Sequence, residues 1–250
     1  MLINERKKYI LEQIREKGGV SVEDLARKLG VSLMTIRRDL RKLSDLGLIE
    51  RCHGGAVFKE EPYATKAISH KDEKNAIAKK AVSLIKDGDC IFLDAGTTTF
   101  QMLKFMEEYK RLTIVTNDLE IGYKASKMQA EVIIVGGFVQ KSTACMYGMI
   151  TNDMIKQLKF DISFIGAATI DEQFNVLTPT EQKAVYKKNV IKNSNQSYLL
   201  VDSSKFNKQA MIKVNNLKNY SGVITTYQFD SEEKQLILDK NISIIPVTLD

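Results

Sequence analysis

The sequence predicts an α/β protein of two domains, a small helical N-terminal domain and a larger domain with a mostly parallel sheet. Before residue 60, apolar residues recur at helical spacing in three short segments that glycines separate. Beyond residue 73, short apolar runs alternate with helical segments, which is typical of parallel strands joined by crossover helices. The chain has 250 residues, 44% of them apolar, which is enough for one or two buried cores.

The composition excludes several classes of protein. A chain that is 44% apolar and 27% charged is neither disordered nor collagen-like. No apolar run approaches the ~18 residues of a membrane span, and residues 1–17 lack the apolar stretch of a signal peptide. The cysteines, Cys52, Cys90 and Cys145, lie far apart, and the chain has only two histidines. We therefore expect a cytoplasmic protein with no membrane contact, no metal site and no cofactor.

Positive charge is concentrated at the N-terminus. Residues 1–60 contain 13 basic and 9 acidic residues, a net charge of +4, whereas residues 61–250 contain 24 and 22, a net charge of +2. The first quarter of the chain therefore has two thirds of the excess positive charge, as expected of a domain that binds a polyanion such as DNA. An ordinary solvated surface is the alternative explanation.

Three helices and a hairpin are predicted in the first 58 residues. The first helix covers residues 5–17 and ends at the glycine pair 18–19. Ser21 is the predicted N-cap of a second helix, and Ser32 is that of a third, which extends to about residue 45. Two extended segments, residues 48–52 and 56–59, flank a His-Gly-Gly turn, and this pattern predicts a hairpin.

The third helix has an apolar face and a basic face. At 100° per residue, Ile36, Leu40 and Leu43 form one narrow stripe that is expected to pack against the first two helices. The outer face contains Met34, Thr35, Arg38, Arg41 and Lys42, with Arg37 and Asp39 on its flanks. A short helix of this kind fits the major groove of double-stranded DNA, where arginines contact guanine edges or phosphates. A basic face that is merely solvated is the alternative.

Two motifs in this domain resemble the DeoR family of bacterial transcriptional regulators. They are Ser-Leu-Met-Thr-Ile-Arg-Arg-Asp-Leu, from Ser32 to Leu40, and Arg-Cys-His-Gly-Gly-Ala, from Arg51 to Ala56, with Arg6, Ile10 and Ile14 upstream. The resemblance implies a winged helix-turn-helix domain over residues 3–58, with the third helix reading operator DNA and the hairpin as the wing. The candidate DNA-binding residues are Ser32, Met34, Thr35, Arg37, Arg38, Arg41, Lys42, His53 and Gly54. His53 is either a wing-tip residue near phosphate or a plain turn residue.

A linker is predicted at residues 59–73, where the apolar period lapses, and an α/β domain at residues 74–250. The predicted strands are at residues 90–94, 112–116, 132–135, 162–165, 198–201, 222–225 and 242–247. The predicted helices are at residues 74–85, 100–108, 119–126, 154–157 and 183–193.

A candidate phosphate-binding loop lies between a predicted strand and a helix, in the segment Asp-Ala-Gly-Thr-Thr-Thr from Asp94 to Thr99. Its glycine lets the backbone turn closely, and three hydroxyls with the N–H groups of a helix start favour an anion. A loop that only caps the helix is the alternative. The sequence contains neither a Walker A motif nor a dinucleotide-binding glycine motif.

Other polar segments also follow predicted strands, and strand ends of an open α/β sheet gather along one crevice. The candidate effector-binding residues are Asp94, Gly96, Thr97, Thr98, Thr99, Asn117, Gly136, Gly137 and Lys205. Asp94 or Asn117 is expected to hold sugar hydroxyls. Lys205 is either a cation for a phosphate or an ordinary solvated lysine.

The resemblance to the DeoR family continues through this domain and covers about residues 3–235 in all. In that family the domain is similar to ribose-5-phosphate isomerase and senses a phosphorylated sugar or a related metabolite. The resemblance implies a repressor of a carbohydrate or polyol operon that a phosphorylated sugar or polyol releases from DNA, and a homo-oligomer, dimer or tetramer. Gln140, Asn175 and Lys66 depart from the family's pattern and leave the identity of the effector open.

Two other functions are consistent with this architecture. A sugar-phosphate isomerase fused to a DNA-binding domain needs a general base, usually a carboxylate. The segment from Ile165 to Thr169 lacks the three carboxylates that such isomerases have there, and Asp171 has no evident partner, so we expect no enzyme. A DNA-binding protein that ignores small molecules is the other alternative, and the glycine- and threonine-rich strand ends argue against it.

Overall fold

The computed structural model describes residues 3–17, 19–46, 48–52, 54–58 and 63–249. In the N-terminal domain the elements are α1 (Ile3–Lys17), β1 (Gly19–Ser21), α2 (Val22–Leu29), α3 (Leu33–Asp45), β2 (Ile49–Cys52) and β3 (Gly55–Phe58). All three predicted helices are confirmed. Their apolar stripes meet in one core that includes Ile10, Ile14, Leu25, Ile36 and Leu40.

The wing is a three-stranded antiparallel sheet in the order β1-β3-β2. The predicted hairpin is confirmed, and so is the end of the first helix at the glycine pair 18–19, but the sequence did not predict that Gly19 begins a further strand, β1. A strand of three residues is too short to show a period of two. A Cβ on Gly55 would lie 2.1 Å from the carbonyl oxygen of Val20, so the pairing of β1 with β3 requires glycine there.

The predicted linker is partly helical. Residues 59–62 lie outside the described ranges, but α4 (Tyr63–Ile68) and α5 (Lys71–Val82) follow with only a short turn between them. The sequence shows no apolar period up to residue 73, yet from residue 63 onward the structure is helical apart from the turn between α4 and α5. Lys74, which is buried, explains the turn, because its Nζ donates to the Ser69 carbonyl oxygen at 2.7 Å and closes the end of α4.

The larger domain contains a seven-stranded sheet and two small antiparallel sheets. Its strands are β4 (Cys90–Leu93), β5 (Thr113–Thr116), β6 (Glu131–Ile134), β7 (Phe138–Gln140), β8 (Cys145–Tyr147), β9 (Phe160–Gly166), β10 (Thr169–Ile170), β11 (Asn175–Thr178), β12 (Ser194–Val201), β13 (Ile212–Asn216), β14 (Gly222–Thr225) and β15 (Ile244–Pro246). Its α-helices are α6 (Thr97–Met102), α7 (Leu119–Ala125), α8 (Met149–Gln157), α9 (Glu181–Lys192) and α10 (Ser231–Asp239), and short 3-10 turns lie at Leu103–Phe105, Ser203–Lys205 and Leu217–Asn219.

The seven-stranded sheet has the order β15-β14-β12-β9-β4-β5-β6, and all its neighbouring strands are parallel. All seven predicted strands are confirmed as its members. Both faces are buried: Phe92 and Ile165 belong to the core on one side, whereas Ile91, Leu93 and Phe164 belong to the core on the other. Burial on both faces is why these strands are continuous apolar runs in the sequence.

The structure adds elements that the sequence did not predict, namely α10, the β7–β8 hairpin and the β10-β11-β13 sheet. Among the described residues, no helix is long and apolar enough to cross a membrane. The same residues contain no cluster of three or more histidine, cysteine or acidic side chains that could hold a metal ion.

Candidate functional site

The start of α3 is fixed by a capping contact. The Oγ of Ser32 accepts a hydrogen bond from the backbone N–H of Thr35 at 3.1 Å, and it lies 2.9 Å from the Thr35 hydroxyl. These contacts satisfy a backbone donor that the first turn otherwise leaves open. Ser32 is therefore a positioning residue for the helix start, and Thr35 next to it is half-buried.

The outer face of α3 is cationic and accessible. Arg37, Arg38, Arg41 and Lys42 are exposed, and none of them forms an ion pair with another residue that the structure describes. Met34 on the same side of the helix start is 70% exposed. The face thus offers unpaired guanidinium groups beside an apolar contact, the combination that major-groove readers use on guanines and thymine methyls.

Asp39 is not on the flank of this face, as the helical projection suggested, but is buried. Its Oδ2 accepts a hydrogen bond from the Nε of Arg6 at 2.6 Å, and both side chains are at most 9% exposed. The sequence motif contained both residues without indicating that they pair. A buried acid needs a partner of this kind, and the pair joins α1 to α3.

The wing tip is represented by Gly54, because His53 lies outside the described residues. Gly54 is exposed with a φ of 79°, a left-handed conformation that favours glycine in the tight turn between β2 and β3. Its carbonyl oxygen accepts a hydrogen bond from the Val22 N–H at 2.8 Å, which ties the wing to the start of α2. The assignment of His53 to the phosphate backbone stays a prediction.

A cavity of about 820 Å³ opens at the carboxyl ends of the parallel strands. Its lining includes residues of the segments 66–74, 95–99, 166–169 and 202–210, together with Cys145, Thr178, Lys183, Tyr186 and Lys187. The volume is within the range of small-molecule sites. The strand ends of β4, β9 and β12 meet here, as the crevice rule for open sheets predicts.

The loop before α6 presents two hydroxyls to this cavity. Thr97 and Thr98 line it, and their hydroxyls have no hydrogen-bond partner among the described residues. Thr99 also lines the cavity, but its Oγ1 donates to the Asp94 carbonyl oxygen at 2.6 Å. The Gly96 N–H donates to the Oδ2 of Asp118 at 3.2 Å. Thr99 and Gly96 therefore hold the loop in shape, and Thr97 and Thr98 are the groups left to contact a ligand.

The cavity is strongly cationic. Six lysines line it, namely Lys66, Lys74, Lys183, Lys187, Lys205 and Lys208, whereas Asp202 is the only carboxylate among the lining residues. The ammonium groups of Lys205 and Lys208 have no acidic partner in the described part of the chain. Asp202 accepts hydrogen bonds from the N–H and hydroxyl of Ser204 at the turn after β12. This charge balance favours an anionic ligand.

Asp94 does not line the cavity, which corrects its expected role as a contact for sugar hydroxyls. It is fully buried, and its carboxylate accepts hydrogen bonds from the Lys187 ammonium, from the Gly166 N–H at 2.8 Å and from the Tyr186 hydroxyl at 2.9 Å. Burial and the charge of Asp94 raise the pKa of Tyr186 well above its usual range, so the phenol stays protonated and donates. Asp94 is thus the centre of a network behind the cavity wall.

Asn117, Gly136 and Gly137 are also outside the lining, contrary to expectation. The buried amide of Asn117 donates to the Met146 carbonyl oxygen at 3.0 Å, which fastens the β7–β8 hairpin to the sheet. The Gly136 carbonyl oxygen accepts from the Thr151 hydroxyl, and a Cβ on Gly137 would lie 2.1 Å from that same hydroxyl oxygen. Close packing of the hairpin against α8 therefore explains Gly137 without a ligand, whereas a Cβ on Gly136 would meet no atom within 4 Å.

Burial also shifts the titration of groups near the loop. Burial raises the pKa of the Asp118 carboxyl to about 6. Hydrogen bonds from the Ile121, Glu120 and Gly96 N–H groups lower this pKa, but their effect is smaller than that of burial. Burial raises the pKa of the Cys145 thiol to about 11, so this cavity-lining cysteine is a thiol and not a thiolate at neutral pH.

The cationic residues of α9 were missed by sequence reasoning. Lys183 and Lys187 are buried, with Tyr186 between them, and they precede the buried Val190 at i, i+4 and i+7 spacing. Two lysines in register with an apolar stripe were a signal available in the sequence, because lysine is almost never buried without a partner.

The part of the cavity wall that follows β9 contains no carboxylate that could serve as the base of an isomerase. Ala167, Ala168 and Thr169 line the cavity there. Asp171 lies outside the lining, and its Oδ1 accepts from the N–H groups of Gln173 and Asn175 in the turn between β10 and β11. The residue that sequence analysis left without a partner therefore has a structural one.

Both halves of the chain match known protein families. A DeoR-like helix-turn-helix domain matches residues 6–61, and a DeoR C terminal sensor domain matches residues 69–227. The HTH-type transcriptional regulator GlpR of Haloferax volcanii is 32% identical over 98% of both chains. HTH-type transcriptional regulator IolR of Bacillus subtilis is 31% identical over 98% of both chains. The glycerol-3-phosphate regulon repressor of Escherichia coli is 30% identical over 96% of this chain and 97% of its own.

Solved structures were compared as well. Ribose 5-phosphate isomerase A from Methanocaldococcus jannaschii aligns with 55% of this chain and 55% of its own, at 23% identity and a TM-score of 0.41. The two family matches together span most of the chain, and the helix-turn-helix match includes the exposed cationic helix α3. The chain therefore belongs to the DeoR family and is a DNA-binding transcriptional regulator.

Proposed function

We propose that the protein represses a carbohydrate or polyol catabolic operon and that a phosphorylated sugar or polyol, bound in the cavity, releases it from operator DNA. The observation that carries this proposal is the charge of the cavity: six lysines and one carboxylate line it, and the charge of one of these lysines, Lys187, is balanced by Asp94 behind the wall. The lysine ammonium groups form charge-assisted hydrogen bonds with a phosphate, whereas a neutral sugar accepts only weaker hydrogen bonds from them. The Escherichia coli relative is a glycerol-3-phosphate regulon repressor, and glycerol 3-phosphate is itself a phosphorylated polyol.

The phosphate is assigned to the space between the threonine loop and Lys205. The hydroxyls of Thr97 and Thr98 and their N–H groups at the start of α6 are donors, and Lys205 adds an ammonium that has no acidic partner in the described chain. The hydroxyls of the ligand are assigned to two other polar groups of the lining, Thr178 and Asp202. These assignments replace Asp94 and Asn117 as direct contacts.

The release of DNA is assigned to the interdomain segment 66–74. Lys66, Ser69 and His70 line the cavity, so an occupant touches the segment that leads to the DNA-binding domain. The carboxylate of Glu73 ties this segment to the sensor domain, because it accepts hydrogen bonds from the Ser203 N–H at 2.9 Å and from the Thr226 hydroxyl. A ligand that binds better when the segment is displaced lowers DNA occupancy by that difference in affinity.

The domain is proposed to bind its ligand without chemistry. Aldose–ketose isomerisation needs a base beside the carbon that loses its proton, and the wall formed by Ala167, Ala168 and Thr169 offers none. Asp202 is already engaged by Ser204. We further propose that the regulator acts in the cytoplasm as a dimer or tetramer on two-fold operator sites.

The test is DNA release measured by fluorescence anisotropy. The full chain is titrated onto duplexes from the promoters beside its own gene, and a panel of sugar and polyol phosphates is added with the unphosphorylated parents as matched controls. At least one phosphate should weaken binding by about 5–150-fold while its parent does not. The proposal would be overturned if only the unphosphorylated parent compounds released the protein from DNA, or if no compound did. Turnover of ribose 5-phosphate by the same sample, lost in Asp202→Asn, would instead favour the isomerase.

A further inference from the structure

One edge of the sensor domain has a concentration of exposed apolar side chains. Of the sixteen large apolar side chains exposed among the described residues, seven lie between residues 119 and 150. Five of them occur at the last strand of the sheet and in the hairpin and helix that follow, namely Ile134, Phe138, Val139, Met149 and Ile150. Leu119 and Tyr123 on α7 complete the group, which we call the β6 edge patch.

The members of the β6 edge patch are neighbours in space. Gly122 of α7 packs so closely on Ile134 that a Cβ there would lie 2.6 Å from the Cδ1 of Ile134, which places Tyr123 beside β6. The ring of Phe138 lies against Gly148, directly before Met149, and 6.3 Å from the ring of Tyr147. The patch therefore runs from α7 across β6 and the hairpin to the start of α8.

The exposed backbone edge of the sheet lies within this patch. β6 pairs with β5 on one side, and its other side has no strand partner among the described residues. Proteins cover or charge such edges because an open edge pairs with other chains. The centre of this edge is Val132, Ile133 and Ile134, with a charged residue only at its start, Glu131.

The area of the patch distinguishes an interface from an ordinary surface. Phe138 is 71% exposed, Met149 is 77% and Tyr123 is 65%. With their neighbours these side chains expose on the order of 800 Å², above the ~300–600 Å² of the largest apolar patch on a typical monomer. The same area is about what each partner contributes to a stable dimer.

We propose that a second copy of this chain covers the β6 edge patch and that this contact forms the sensor-domain dimer of the regulator. A helix-turn-helix regulator that reads two half-sites needs a paired chain, and a two-fold contact uses the same patch on both copies. The same stretch of chain suits self-pairing because it also exposes charges of both signs, namely Glu120, Lys124, Glu131 and Lys141. The patch belongs to the sensor domain, so its burial leaves the outer face of α3 free for DNA.

The test is sedimentation velocity of the full chain without ligand, at loading concentrations from about 0.1 to 100 µM. The variant is Phe138→Asp with Met149→Asp, and the matched control is Leu238→Asp, an apolar residue on α10 that is 69% exposed and lies outside the patch. Wild type and control should sediment as a dimer or a larger oligomer, and the double variant should dissociate at least about 100-fold more easily, because two interface anchors are replaced by charges.

Folding is checked by far-UV circular dichroism. If the double Asp variant fails to fold, the gentler pair Tyr123→Ser with Phe138→Ser replaces it, and it should show weakened association in the same direction. A wild-type chain that is monomeric at the highest concentration overturns the proposal, and so does a folded patch variant that associates as tightly as wild type. The proposal rests on the dimer or tetramer of the proposed function, which a monomeric wild type would also contradict, whereas a folded patch variant that associates normally would contradict only the choice of surface. The ligand-release experiment is independent of both results, since it measures a change on adding ligand.

Discussion

The Nε of Arg6 donates to the Oδ2 of Asp39 at 2.6 Å, and this buried ion pair joins the first helix to the DNA-reading helix. Asp39 is next to Arg38 in the chain, and Arg38 is exposed on the outer face of α3 whereas Asp39 is buried. The pair therefore sets the rotation of α3 relative to α1, and through it the direction in which the exposed arginines point. Breaking a buried pair is costly because one charge is left without a partner.

Replacing Asp39 by Asn should destabilise the N-terminal domain by about 3 kcal/mol. Hydrogen exchange in residues 33–45 measures it, and operator affinity should fall in parallel. The control is Asp24→Asn, which removes an exposed pair with Arg27 at 3.7 Å and should cost less than about 1 kcal/mol. In a double-mutant cycle, Arg6→Met with Asp39→Leu should be less destabilised than the sum of the single changes. Equal exchange in Asp39→Asn and Asp24→Asn would contradict this role.

The same pair shows how far the sequence could predict the site. A helical projection assigns Asp39 to a flank because it knows only the angle around α3, whereas the position of Arg6 on another helix decides its burial. The seven sheet strands were predictable because burial on both faces produces apolar runs. The strands β1 and β10 were not, since two or three residues show no period.

The cavity was predictable only in part, for a related reason. The threonine loop and Lys205 follow strands directly, so the crevice rule located them. Asp94 also follows a strand, but its burial depends on Tyr186 and Lys187, which are more than ninety residues away. Whether a residue that follows a strand lines the cavity or is buried behind its wall depends on tertiary packing, which a local sequence pattern cannot predict.

The reading face of α3 is tested by Arg38→Ala. If Arg38 contacts a guanine, this change should cost about 1–3 kcal/mol on the specific operator and little on other DNA. If it contacts phosphate, affinity should fall about equally on all sequences, and the salt slope should shrink by roughly one. Anisotropy titrations at several salt concentrations separate the two. The control is Lys188→Ala, an exposed lysine of the sensor domain. Unchanged binding after combined replacement of Arg37, Arg38 and Arg41 by Ala would refute the assignment of α3.

The phosphate assignment is tested by Gly96→Val and Lys205→Ala. Gly96 has an extended backbone, and a Cβ there meets only the Thr99 hydroxyl oxygen at 3.6 Å, so the fold should tolerate valine. The larger side chain should nevertheless block a ligand from approaching the loop. Lys205→Ala should weaken phosphorylated ligands by about 10-fold or more through the loss of a charge-assisted hydrogen bond.

Thermal shift measures both variants against Lys213→Ala, an exposed lysine outside the cavity lining. At a ligand concentration of 100 times the dissociation constant, the wild type should gain roughly 2.7 kcal/mol. Operator affinity without ligand should be the same in all three variants. Equal stabilisation of wild type by the unphosphorylated parents would mean that the loop does not hold a phosphate.

The contact between Glu73 and Thr226 is expected to transmit ligand binding to the DNA-binding domain. Burial alone would raise the pKa of the Glu73 carboxyl, but hydrogen bonds from Thr226, the Ser203 N–H and His70 lower it to about 2. A lowered pKa means that the stabilising contact is complete above the ordinary value of 4.5 and is lost only as pH falls toward 2. Glu73 therefore holds the segment 66–74 to the sensor domain as a full negative charge at neutral pH.

Thr226→Val removes one donor to Glu73 and keeps the shape of the side chain. Neither Thr226 nor Glu73 lines the cavity, so the affinity for an effector should change by no more than about twofold. The ratio of operator affinities with and without effector should fall by about 5-fold or more, because the segment is no longer held where the ligand displaces it. The control is Thr113→Val, a half-buried threonine at the start of β5 that lies outside the cavity lining. A variant that binds the effector normally and still releases DNA as the wild type does would exclude the Glu73 contact from the coupling.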